Sequence, residues 1–142
     1  MVGTENTGLR GIRAATSRIS LVDGEAGRLL YRGYAIEDLA RWSTFEEVSY
    51  LLLYGQLPTA EQLRSFSHEL ASHRALPPEM MRALRAQPLS APPMAVLSSM
   101  VSLMPGTCPD RDDDSPEANR RKAVRIISMM PTIVAAWKRL RR

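Results

Sequence analysis

The sequence is poor in most of the residues that catalytic and metal sites are built from. It has one cysteine, Cys108, and two histidines, His68 and His73. No internal disulfide can form, and one thiol with two scattered imidazoles gives no zinc-ligand spacing. That usage fits a reducing cytoplasm. Lysine is also scarce, only Lys122 and Lys138 among nineteen cations, and the formal net charge is +4. So small an excess, spread along the chain, argues against a nucleic-acid binder, which needs a dense patch. Long apolar runs are missing too. No charged residue lies between Arg85 and Asp110, but prolines at 88, 92, 93 and 105 break that stretch. Its uninterrupted piece, Met94 to Met104, is about 17 Å as a helix, against about 30 Å of bilayer hydrocarbon. A core helix is expected there, and no membrane span. Met1 to Arg13 contains no apolar run of signal-peptide length, so secretion is not expected.

What is present is the composition of a soluble globular protein. Apolar residues make up 44% and charged residues 24% of 142, enough for a core in one ordinary domain. Arg18 to Val22 and Leu29 to Tyr31 flank the loop Asp23-Gly24-Glu25-Ala26-Gly27, which reads as a β-hairpin. No other strand is expected. After Gly33 the pattern turns helical, to about seven helices in all, giving an all-α fold with a short amino-terminal hairpin.

Helix starts are marked by their chemistry. Thr44 with Glu47 and Thr59 with Gln62 have the spacing of capping boxes, and Gly55 is placed to close the first of these helices. Ser115, Pro116 and Glu117 form a third start signal. The second helix carries one stripe, Leu63, Phe66 and Leu70. The first ends Leu51-Leu52-Leu53-Tyr54 and, like Met94 to Met104, is apolar on every side, so further protein is expected to surround both. A final stripe runs Ala123, Ile127, Met130, Ile133, Trp137 and Leu140 through Pro131, which is expected to kink or divide the helix. That stripe is still running at Arg142, as though the helix continued. No internal repeat or low-complexity tract interrupts the chain.

Each candidate site has a plainer explanation. Asp110, Asp112, Asp113 and Asp114 lack the alternation, glycine turn and distal glutamate of a calcium loop, and read as a solvated loop feeding the Ser115 cap. His68 and His73 are five apart on a helix and point to different faces. Arg120, Arg121, Lys122 and Arg125, with Lys138, Arg139, Arg141 and Arg142, could form a phosphate-binding face, but helices carry such faces for solubility. No phosphate-cradling loop and no nucleophile motif is present. The residues therefore give no catalytic, cofactor-binding or metal site.

Several segments together resemble the amino-terminal part of bacterial citrate synthases and 2-methylcitrate synthases. They are Ile19 to Gly24, Gly27 to Tyr34 with Ile36, Phe45 to Val48, Leu51 to Gly55 and Leu57 to Thr59. Ser115 to Asn119 and Pro131 to Ala136 match further on, so the resemblance runs from about Gly8 to Arg142. One departure is Pro92-Pro93-Met94, where that family usually has His-Pro-Met; the histidine is not one of its catalytic residues. The resemblance implies a nearly all-helical homodimeric enzyme with a large and a small domain. It condenses acetyl-CoA with oxaloacetate using an aspartate base, two histidines and carboxylate-binding arginines. All of these lie beyond the matched region, so residues 1–142 are expected to supply large-domain scaffold and no catalytic group. The expected partner is a second copy or a full-length synthase subunit.

Overall fold

The computed structural model describes residues 16–141. The expectations about Met1 to Arg13, the start of the family resemblance near Gly8, and Arg142 lie outside these residues. The chain divides into two compact units, Met1–Pro58 and Thr59–Arg142.

The first unit opens with β1 (Ser20–Asp23), β2 (Arg28–Tyr31) and β3 (Tyr34–Ala35), an antiparallel sheet in that order. The expected hairpin is present, with Asp23 opposite Arg28, so its connecting loop is four residues and not five. The third strand corrects the expectation that there would be none. Its turn is Arg32-Gly33, with φ of 50° and 93°, and Tyr31 pairs with Tyr34 across it. Two residues at positive φ make the type I′ turn whose twist suits a hairpin, here without the Asn-Gly pair that usually announces one. Helices α1 (Ile36–Trp42) and α2 (Phe45–Tyr54) follow. Thr44 and Glu47 form the expected capping box, and Gly55 ends α2 in the left-handed region at φ 88°. The apolar end of α2 is not surrounded on every side in this chain: Leu51 is fully buried, whereas Tyr54 is 41% exposed.

The second unit holds α3 (Ala60–Ser72), α4 (Pro78–Arg85), α5 (Pro93–Leu103), a 3-10 turn at Met104–Thr107, and α6 (Pro116–Leu140). Six α-helices and one 3-10 turn thus account for the seven expected. Thr59 and Gln62 cap α3 reciprocally, and α3 buries Phe66 and Leu70 from its stripe, with Leu63 half-buried. One cluster, contributed by α4, α5, the 3-10 turn and α6, forms the core: Met80, Leu84, Val96, Met100, Met104, Met129, Ile133 and Trp137. Ser115 caps α6 by accepting from the Ala118 N–H at 3.2 Å.

One helical expectation needs correction, and of the two alternatives at Pro131, a kink or a division, the second falls away. The buried positions of α6 are Ala118, Val124, Ser128, Met129, Ile133 and Trp137. The expected stripe is right at Ile133 and Trp137 and displaced by one residue before Pro131, because the polar Ser128 is taken into the interior. Its hydroxyl donates to the Val124 carbonyl at 2.7 Å, which satisfies it without an outside partner. Pro131 does not divide the helix, which runs unbroken to Leu140 with Arg141 as its C-cap. Proline is tolerated there on the exposed side, where water can meet the carbonyl left without a donor. Within this chain α5 is covered on one side only, with Val96 and Met100 buried and Met94 74% exposed, which leaves a face for the further protein expected around it. Pro92 and Pro93 start α5 without a side-chain cap.

Candidate functional site

Several of the polar residues singled out by the sequence, Asp110 to Asp114 with Arg121 and Lys122, converge on one place in the second unit, the loop after the 3-10 turn and the first turns of α6. Asp110 receives two bonds from the Arg121 guanidinium, Nη2 to Oδ1 at 2.8 Å and Nε to Oδ2 at 3.0 Å. Arg121 also lies 4.0 Å from Asp113. Lys122 donates to the Asp113 carbonyl at 2.5 Å and reaches the Asp114 carboxylate at 3.5 Å. Asp113 in turn accepts from the Ser115 N–H at 2.8 Å. The acidic loop is therefore tied to α6 by the cations that the sequence placed on a separate basic face.

The electrostatics follow from those partners. The Arg121 guanidinium holds the Asp110 carboxyl below its ordinary value, and Asp110 raises Arg121 in return. Asp113 is lowered chiefly by the Ser115 backbone N–H it accepts from. Arg120 pairs with Glu117 at 3.3 Å, one turn back. Lys138 and Arg139 sit in the last turn of α6, where cations are favoured by the negative end of the helix dipole, and the Arg141 guanidinium lies over the Trp137 ring, 5.9 Å from its centroid.

Beside the loop lies a cavity of about 330 Å³, lined by Met104, Thr107, Cys108, Arg111, Lys122 and Arg125 among others. The Nε of Arg125 is buried and has no hydrogen-bond partner among the described residues. A second, apolar groove of about 230 Å³ runs between α5 and α6 past Met94, Leu97, Val134 and Trp137. The histidines are elsewhere: His68 is exposed on α3 and His73 is its half-buried C-cap residue. No group of three or more His, Cys, Asp or Glu among the described residues is arranged to hold a metal ion. No described helix is long and apolar enough to cross a membrane.

The surroundings of these residues are those of a loop anchor and helix-packing surfaces, and the ancestry of the fold decides how to read them. The family model described as citrate synthase, C-terminal domain, matches residues 8–142. The chain belongs to the citrate synthase family. The citrate synthase of Haloferax volcanii is 45% identical over an alignment taking in 100% of this chain and 38% of that protein. The citrate synthase of Acidithiobacillus ferridurans is 42% identical, over 94% of this chain and 36% of its own length. A 2-methylcitrate synthase of Mycobacterium tuberculosis is 39% identical over 95% of this chain and 34% of its length. Among solved structures, citrate synthase from Pyrobaculum aerophilum superimposes with a TM-score of 0.87 at 37% identity, covering 95% of this chain and 36% of that one. The chain thus spans little more than a third of the length of these citrate synthase relatives, and its helical fold with a small sheet is theirs.

Proposed function

We propose that this chain is the amino-terminal part of the large domain of a citrate synthase-like acyltransferase, and that it contributes scaffold without turning over substrate alone. The full-length parent would condense acetyl-CoA with oxaloacetate and hydrolyse the citryl thioester to citrate and CoA, in the cytoplasm, as a homodimer feeding the tricarboxylic acid cycle. The observation that carries this reading is the family-model match over residues 8–142, together with 45% identity across the whole chain to little more than a third of a relative's length. The chemistry of the chain supports it: Asp110, Asp113, Asp114, Arg121 and Lys122 are engaged in tying a loop to α6, and its two histidines lie on or next to α3.

Two measurements test the reading. The purified chain should release no thiol from acetyl-CoA plus oxaloacetate, so turnover by pure material would sink the scaffold claim. Grafted in place of the corresponding third of the Haloferax volcanii citrate synthase, it should leave a folded, active chimera. A folded but inactive chimera would remove the claim that this is synthase scaffold.

A parent that uses propionyl-CoA is a second reading, favoured by the 2-methylcitrate synthase relative at 39% identity. The third is a non-catalytic assembly partner of a full-length synthase subunit, favoured by the exposed apolar residues Met94, Leu103 and Val134 on α5 and α6. Co-purification of this chain with active subunits would select it.

A further inference from the structure

The segment from Pro109 to Asp114 reads Pro-Asp-Arg-Asp-Asp-Asp, and none of its residues is buried. Hydrophobic burial therefore cannot hold it in place. What holds it is charge and hydrogen bonding to two consecutive residues of α6. Arg121 takes Asp110 with two bonds and lies near Asp113, and Lys122 takes the Asp113 carbonyl, the Arg111 carbonyl at 3.5 Å and the Asp114 carboxylate. Within the segment, turn bonds run from the Arg111 N–H to the Cys108 carbonyl and from the Asp113 N–H to the Asp110 carbonyl, so it is internally braced and would move as a unit. Cys108 and Arg111 at its start line the 330 Å³ cavity, and so do Lys122 and Arg125 of α6.

We propose that residues 108–114 are a charge-latched strap over this cavity, closed by Asp110 on Arg121 and by Lys122, and released when those contacts are screened or removed. Arg121 and Lys122 are adjacent in sequence, so both anchors of the strap depend on one turn of helix. Arg121, Asp113 and Asp114 are open to solvent and Asp110 partly so, and ion pairs that solvent reaches are weakened by salt, since the screening length falls to about 3 Å at about 1 M. The apolar core of the unit is indifferent to such screening, so the strap should open while the helices stay packed.

Cys108 is the single cysteine of the chain, so its alkylation reads the cavity wall and nothing else. The probe is N-ethylmaleimide, which is uncharged, applied to the whole chain at low concentration and followed by intact mass, with circular dichroism as the check on helix content. Alkylation should be slow in low salt and several-fold faster in about 1 M NaCl. Asp110→Asn should be fast in both conditions, and the exchange Asp110→Arg with Arg121→Asp should restore slow labelling. A wild-type rate that does not rise with salt overturns the strap, as does a helical Asp110→Asn variant that labels like wild type. If that variant loses its helices, the wild-type salt series decides the matter alone.

Discussion

The guanidinium of Arg32 donates its Nη2 hydrogen to the backbone carbonyl of Leu52, 3.1 Å away, across twenty residues of sequence. Its other terminal nitrogen reaches the Arg18 carbonyl at 3.4 Å. One side chain thus links Arg18, two residues before β1, the turn between β2 and β3, and the last turns of α2. Arg32 does this from a left-handed backbone, φ 50°, a conformation that non-glycine residues adopt at some cost. Replacing it with alanine removes both bonds and keeps the unfavourable φ. The expected loss is about 1–3 kcal/mol, measured as a fall in the urea midpoint at unchanged slope. Arg32→Lys should recover little, because an ammonium cannot present two forked donors to two carbonyls. Full recovery by lysine would count against the bridge.

Much of this unit was legible from the residues themselves. Thr44, Glu47 and Gly55 announce α2 because capping and left-handed termination are local chemistry, decided within a few residues. The turn at Arg32-Gly33 was missed because the arginine is kept there for its long-range bond to Leu52, and no local rule contains that partner. The same holds for the candidate site. Asp110 and Arg121 are eleven residues apart, and the sequence read them separately, one as a solvated loop and the other as part of a basic face. In α6 the buried Ser128 displaced the stripe, since a hydroxyl that bonds its own helix can enter a core that hydropathy alone would deny it.

The core of the second unit should be sensitive to single deletions of volume. Leu84 is fully buried and belongs to the cluster with Val96, Met100 and Ile133. Leu84→Ala loses transfer energy and leaves a cavity, together about 2–5 kcal/mol. Against that, Leu89 is 59% exposed, and Leu89→Ala should change the midpoint little. Equal effects of the two substitutions in chemical denaturation would refute the packing described for α4, α5 and α6.

Acid should act on the strap through its carboxylates. Asp110 and Asp113 both lie below the ordinary value of 3.8, because Arg121 and the Ser115 N–H favour their charged forms. Their stabilising contribution is therefore complete above the unfolded value and disappears as pH falls through the lower folded values. Asp110→Asn removes one of the two linked protonations. Its stability should depend less steeply on pH than wild type over about pH 5 to about pH 2, and the two curves should converge at the acid end. A variant curve that runs parallel to wild type throughout would show that Asp110 gains nothing from Arg121.

The last expectation concerns the face made by α5 and α6. Met94 is 74% and Val134 54% exposed, and both line the apolar groove that also contains Trp137. Contiguous apolar surface of this kind favours association when nothing covers it, so the isolated chain should self-associate or aggregate. Sedimentation velocity over a range of concentrations measures this directly. Met94→Lys with Val134→Lys places two charges in the groove while leaving Val96, Ile133 and the other buried residues untouched, and should shift the distribution toward monomer. A wild-type chain that sediments as a monomer at every concentration and melts in one sharp transition would contradict the expectation. It would mean that the packing of Trp137 and Ile133 is sufficient for a stable unit, and that the exposed methionine and valine are tolerated singly, as scattered surface apolar residues commonly are.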